Sequence, residues 1–246
     1  MNLPNIKTLI KSKFPYSLNI KNYFRNVIAR AKVALFDSFN INKTNAVIVF
    51  KEKAVKNGWG GNESVSGHGS DFKSTELLRT LIPSVLKEFE VKSLLDAPCG
   101  DFYWMNLTDL QIDRYVGVDI VPELIAQNQE KYTTQSRHFL NLDITSDQLP
   151  TVDLILCRDC LVHLSFNQIK EALQNFKKSG STYLLTTTYP DLLQTNKNII
   201  TGDWRPLDLQ KAPFNFPNPI KIANENCTSD LKEKSLGLWK ISDIQI

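Results

Sequence analysis

No apolar run in the 246 residues exceeds five, the stretch Ala46 to Phe50, against the roughly 18 that a membrane-spanning helix needs. A secretory signal is missing too, because Lys7, Lys11, Lys13 and Lys21 interrupt any apolar core near the start. Four cysteines without an export signal point to reduced thiols in a cytoplasm, not to a disulfide framework. The single Cys-x-x-Cys, Cys157-Arg158-Asp159-Cys160, lacks the second pair of a structural zinc site, so no metal is expected. No Gly-Lys-Ser/Thr follows a glycine-rich run, which excludes a P-loop.

What is present describes an ordinary globular chain, 42% apolar and 22% charged. Its charge is unevenly spread. Residues 1 to 36 hold seven Lys or Arg and no acid, whereas the remainder holds 22 basic and 26 acidic residues. The body therefore has no field suited to gripping nucleic acid, and none is expected as a partner. The basic arm is another matter. Phe24, Val27, Ile28, Ala31 and Leu35 recur at helical spacing, so residues 1–56 read as a basic helical extension, packed on the domain or docked on an anionic membrane or acidic partner. An RNA-modifying enzyme would use the same arm to find its substrate.

Five of the ten glycines fall within residues 57–70, together with Trp59 and His68. A mere linker has no use for those two side chains, so the run reads as a lid over a ligand. From residue 70 the pattern alternates. Leu77, Leu78, Leu81, Ile82, Val85, Leu86 and Phe89 form a helical stripe, with Pro83 expected to start a second short helix. Apolar strands end at Asp96, Asp119 and Asp143, a fourth spans 152–156 and a fifth 182–188. Between the last two, Ser165-Phe166-Asn167-Gln168 is a capping box opening a helix towards Gly180. Such alternation means an α/β fold, a doubly wound and mostly parallel sheet with helices on both faces. Two late strands, near 220–223 and 236–241, suggest an antiparallel hairpin at the edge, completing seven. The proline- and aromatic-rich stretch 191–219 is then an insertion over the active face of a domain running from 57 to 246.

In an open parallel sheet, ligands lie across the carboxyl ends of the strands, where Asp96, Asp119 and Asp143 stand. An acid after the second strand suits ribose hydroxyls. The run Leu94-Leu95-Asp96-Ala97-Pro98-Cys99-Gly100-Asp101-Phe102 resembles the first motif of class I S-adenosylmethionine-dependent methyltransferases. Gly117-Val118-Asp119-Ile120, Leu142-Asp143-Ile144 and Asp153 to Asp159 follow at similar spacing. The resemblance covers residues 70–190 and the late hairpin. It implies S-adenosylmethionine as cofactor, held by Asp96, Ala97, Pro98 and Gly100 at the methionine end and by Asp119 at the ribose. Ile120 would flank the adenine, Asp143 would accept from its amino group, and Ile144 and Arg158 would also border the cofactor. Of the family's three glycines only the middle one remains, with Pro98 and Phe102 in the flanking positions. The Asp-Ala-Pro-Cys-Gly-Asp-Phe run, after a Gly-rich Trp59 to Ser70 loop, is similar to bacterial methyltransferases that decorate glycans.

Methylating a sugar hydroxyl requires alignment and removal of a proton. His163 is the expected base, with Asp159 as alternative base or as the group that orients the imidazole. Arg158 and Arg205 are cations available to a phosphate or carboxylate on the acceptor, while Trp59 and His68 reach it from the lid. The acceptor is expected to be a polar small molecule or glycan precursor. Rival readings are an RNA methyltransferase and a non-catalytic scaffold that kept the fold. A nicotinamide-dependent oxidoreductase is disfavoured, since the first turn lacks Gly-x-Gly-x-x-Gly.

Overall fold

The computed structural model describes residues 43–227 and 231–246. The basic arm and the helix expected over residues 24–35 lie outside them. Residues 42–246 form one compact unit. It includes helix α1 (Lys43–Val55), which the sequence reading assigned to the extension. The reason is contact: Phe50 of α1 stacks on Trp59 at 6.3 Å, and Lys51 pairs with Glu123.

Five parallel strands follow in register: β1 (Ser93–Asp96), β2 (Arg114–Asp119), β3 (Arg137–Asn141), β4 (Leu154–Cys157) and β5 (Tyr183–Thr188). Strands β6 (Lys221–Asn224) and β7 (Ser235–Lys240) pair antiparallel, and β7 also runs antiparallel to β5. The order is β3-β2-β1-β4-β5-β7-β6. It is the mostly parallel seven-stranded sheet with a reversed edge that the alternation predicts. Strand order reverses between β1 and β4, which opens a crevice at their carboxyl ends.

The sheet is buried on both faces. Leu95, Val116, Val118 and Ile155 point into one core with α4 (Phe166–Lys178), which contributes Ile169, Ala172, Leu173 and Phe176. Leu94, Tyr115, Leu154 and Leu156 point into the other with α2 (Leu78–Glu88) and Ile125 of α3 (Pro122–Tyr132). Burial on both sides is why these strands read as apolar runs, not as alternating ones. Ser165 caps α4 as expected, its hydroxyl accepting from the Gln168 N–H.

Two expectations change. Pro83 does not start a helix but lies inside α2. Its missing N–H removes one rung, and burial of Leu78, Ile82, Val85 and Leu86 holds the helix together across it. The stretch 191–219 is not simply an insertion over the site: much of it is exposed, and it sends four large side chains into the core. Leu207, Leu209, Phe214 and Phe216 are buried, and the Trp239 indole donates to the Pro217 carbonyl at 2.8 Å. Only Gly202, Asp203 and Trp204 of this stretch reach the cavity described below. No helix among the described residues is long and apolar enough to cross a membrane.

Candidate active site

A cavity of about 680 Å³ opens at the carboxyl ends of β1, β2 and β4 and is roofed by α1 and residues 58–70. That volume is ordinary for a small-ligand or cofactor site. The roofing loop is fastened at both ends. The Asp101 carboxylate accepts from the Ser64 hydroxyl and the Val65 N–H, both at 2.9 Å, and Arg158 Nη2 donates to the Gly69 carbonyl at 3.0 Å. Gly67 has φ of 97° and lies so near Trp59 that an added Cβ would fall 2.8 Å from that residue's own. Only glycine permits both.

The floor carries two buried carboxylates with neutral partners. Asp96 accepts a 2.6 Å hydrogen bond from the Tyr115 hydroxyl, and burial pushes it up to about 7 against that bond. Asp119 accepts one N–H on each oxygen, from Gly100 at 3.1 Å and Val121 at 2.9 Å. Burial again dominates and raises it to about 6. Each Asp119 oxygen keeps a lone pair for a ligand hydroxyl. Gly100 has φ of 55°, and its carbonyl is held by the Asn128 amide at 2.8 Å.

On the far wall stands the His163 imidazole. Its Nδ1 lies 2.9 Å from the Asp203 carbonyl, which only accepts, so Nδ1 carries the proton and Nε2 of the neutral ring offers a lone pair. Burial lowers its proton affinity below that of a free histidine. Trp59 meets the ring edge-on at 6.0 Å.

Residues 95–179 match the family model described as a methyltransferase domain. That stretch is about a third of the chain. No curated protein matches it. Solved structures do. The N-methyltransferase NodS from Bradyrhizobium japonicum WM9, in complex with S-adenosyl-L-homocysteine, is 13% identical, with 77% of this chain and 97% of that one covered at a TM-score of 0.54. Magnesium protoporphyrin IX methyltransferase from Synechocystis PCC 6803, with bound S-adenosylmethionine, is 11% identical, covering 80% and 96% at 0.54. A methyltransferase from Clostridium acetobutylicum ATCC 824 is 14% identical, covering 69% and 92% at 0.50. At such identities the likeness is one of fold. Two of those neighbours hold S-adenosyl-L-homocysteine or S-adenosylmethionine.

The cavity gathers most of the residues that the sequence resemblance assigns to that cofactor and its acceptor. Asp96, Pro98, Gly100, Asp119, Ile120, Asp143 and Ile144 line it, as do Trp59, His68, Arg158, Asp159 and His163. The unusual glycine motif does not obstruct it. Phe102 turns away at φ of 59° and is buried among Tyr115, Tyr132 and Phe139.

Several assignments made from sequence are corrected here. Ala97 is fully buried and lines nothing. Asp143 lies two residues beyond β3 and gives one oxygen to the Thr145 N–H and hydroxyl. Arg158 is not free for cofactor or acceptor: its guanidinium is spent on Glu225, Asp159 and the Gly69 carbonyl. Arg205 donates to the carbonyls of Lys197, Leu161 and Leu164, stays out of the cavity, and is a structural brace. Asp159 is no base. Burial alone would raise it, but Arg158 at 3.3 Å and Lys234 at 2.5 Å outweigh burial and hold it at about 2. Nor does it orient His163, a task the Asp203 carbonyl performs. His68 lines the rim but is largely exposed and paired with Asp71.

Sequence reading missed Tyr115, Asn128, Glu225, Lys234 and Lys53. Tyr115 sits at an ordinary strand position, and no local signal marks Glu225 or Lys234, since their partners lie far away in the chain.

Proposed function

We propose that the protein O-methylates a sugar or other polar small molecule, such as a glycan precursor, with His163 as the general base. The observation that carries this reading is the His163 imidazole in the cavity wall with Nδ1 committed to a carbonyl. That bond leaves Nε2 as the acceptor, and burial keeps the ring neutral at pH 7.

In this reading Asp119 takes the ribose hydroxyls of S-adenosylmethionine, Ile120 and Ile144 flank the adenine, and the remaining Asp143 oxygen faces its amino group. Pro98 and Gly100 border the methionine part. When bound, the cofactor supplies an electrophilic methyl on a sulfonium that leaves as a neutral thioether. The chain's contribution is alignment, exclusion of water by the 58–70 roof acting as a lid, and acceptance of the hydroxyl proton at Nε2. Four free cysteines support a reduced, cytoplasmic setting.

His163→Gln is expected to lower turnover by about 100-fold or more while leaving S-adenosylmethionine affinity unchanged in calorimetry. Wild-type turnover should rise with pH through an apparent pKa below the ordinary histidine value of about 6.5, because the base works as the neutral ring. Undiminished turnover in the variant removes His163 from the mechanism. Failure of the wild type to bind S-adenosylmethionine favours a scaffold.

A further inference from the structure

Most charged side chains lining the cavity are matched by protein partners; one cation is not. Arg158 and Lys234 are both neutralised by Asp159 and Glu225. Lys53 of α1 also lines the cavity, yet among the described residues no acid lies within ion-pair distance of it. Its ammonium stands 5.7 Å from the centre of the Trp59 ring, and its Cε packs beside Gly202. The Trp59 indole contributes a second unspent donor. Its Nε1 is buried and has no hydrogen-bond partner, alone in that respect among the described side chains. Burying a donor without a partner is unfavourable, and an ammonium with no counter-charge adds to the mismatch. Both deficits are in one wall, and both call for an oxygen acceptor.

We propose that the methyl acceptor is an anion, whose carboxylate or phosphate is held by Lys53 and the Trp59 indole N–H while its hydroxyl faces His163. The proposal rests on the methyltransferase reading above and adds the class of acceptor. Trp59 joins the two halves of the site: Lys53 lies against its ring, and the His163 imidazole meets the same ring edge-on at 6.0 Å. One indole thus sets the anion's place relative to the base. Lys53 also helps to keep His163 uncharged. A neutral sugar would leave both donors unpaired, and sites rejecting ligands on that ground discriminate strongly. Asp203, the residue after Gly202, is exposed on the same rim and opposes an anion there.

The test uses the full chain saturated with S-adenosylhomocysteine, titrated calorimetrically with glucose, galacturonate and glucose 6-phosphate. At least one of the two anions is expected to bind about ten-fold or more tightly than glucose, and which one does so separates carboxylate from phosphate. Lys53→Met should abolish the preference and Lys53→Arg should retain it. Trp59→Phe should weaken anion binding several-fold, and Asp203→Asn should strengthen it. Binding of glucose equal to the anions, binding of none of the three, or a preference that survives Lys53→Met overturns the proposal. So does loss of cofactor affinity in Lys53→Met, which would assign the ammonium to the cofactor's own carboxylate. Cofactor affinity of the wild type is read first, so a failure of the methyltransferase reading shows before any sugar is added.

Discussion

Two regions of the cavity hold aspartates at the carboxyl ends of parallel strands and treat them in opposite ways. On the floor, Asp96 and Asp119 are answered by a phenol and by backbone N–H groups, and stand at about 7 and about 6. On the wall beside β4, Asp159 is answered by an arginine and a lysine and stands at about 2. Burial pushes all three upwards. The charge of the partner decides the outcome, so topological position alone does not reveal which carboxylate takes a proton. The floor stores unpaired negative charge where a ligand is to bind, and the wall stores a closed ion network that serves as structure.

Breaking the closed network has the largest expected effect. Glu225 has no exposed side-chain surface and accepts from Arg158 at 2.8 Å and Lys234 at 3.2 Å. Glu225→Gln leaves two buried cations sharing Asp159 alone. It should lower the unfolding free energy in urea by about 3–5 kcal/mol, a large part of what a domain possesses. Replacing Glu225 and Arg158 together by Leu and Met should cost far less, because no unpaired charge stays behind. Equal losses in the single and double variants would mean that packing, not charge, sustains the region. Acid should dismantle the network late. The Asp159 contribution is present above its unfolded pKa of about 3.9 and lost as pH falls through about 2.

The floor should respond in the opposite direction. The folded pKa of Asp96, about 7, exceeds its unfolded value of about 3.9, so the cofactor-free protein takes up a proton on folding between those limits, and stability falls as pH rises through them. Asp96→Asn removes that penalty and still accepts from Tyr115. It should raise the stability of the cofactor-free protein at pH 8 by on the order of 2 kcal/mol, with the gain vanishing near pH 4. Urea midpoints at the two pH values decide it. A variant no more stable than the wild type at pH 8 would place the floor and the wall under the same rule.

The contrast also explains what sequence could and could not reveal. Strand-end acids, the capping box at Ser165 and the apolar runs are local, so the sheet, its reversed edge and the acids on the cavity floor were legible. Asp159 pairs with its neighbour Arg158, but Lys234 lies 75 residues further along the chain and Glu225, which joins them, lies 67 residues beyond Arg158, so nothing nearby in sequence announces the network. Arg205 was ambiguous for the same reason: a cation in a proline-rich loop reads as a ligand group or as a structural pair until its three carbonyl partners are seen. Lys53 escaped notice because helical spacing places it beside Phe50 and Ala54 without showing that the helix faces a cavity.

The smallest effect should come from an ion pair of nearly the same length. Lys221 of β6 meets Glu88 of α2 at 2.7 Å, against 2.8 Å for Arg158 and Glu225. The side chains at the surface are 36% and 47% exposed, whereas those of the buried pair are 6% and 0% exposed. Water already satisfies Lys221 and Glu88 when they part, and holding them together costs side-chain freedom. Lys221→Ala should therefore change the urea midpoint by less than about 0.5 kcal/mol in free energy, and raising salt should erase even that. A loss comparable to that of Glu225→Gln would show that β6 depends on this pair to stay at the sheet edge. Distance would then be the better guide to an ion pair's contribution in this protein, and the charge of the surroundings the poorer one.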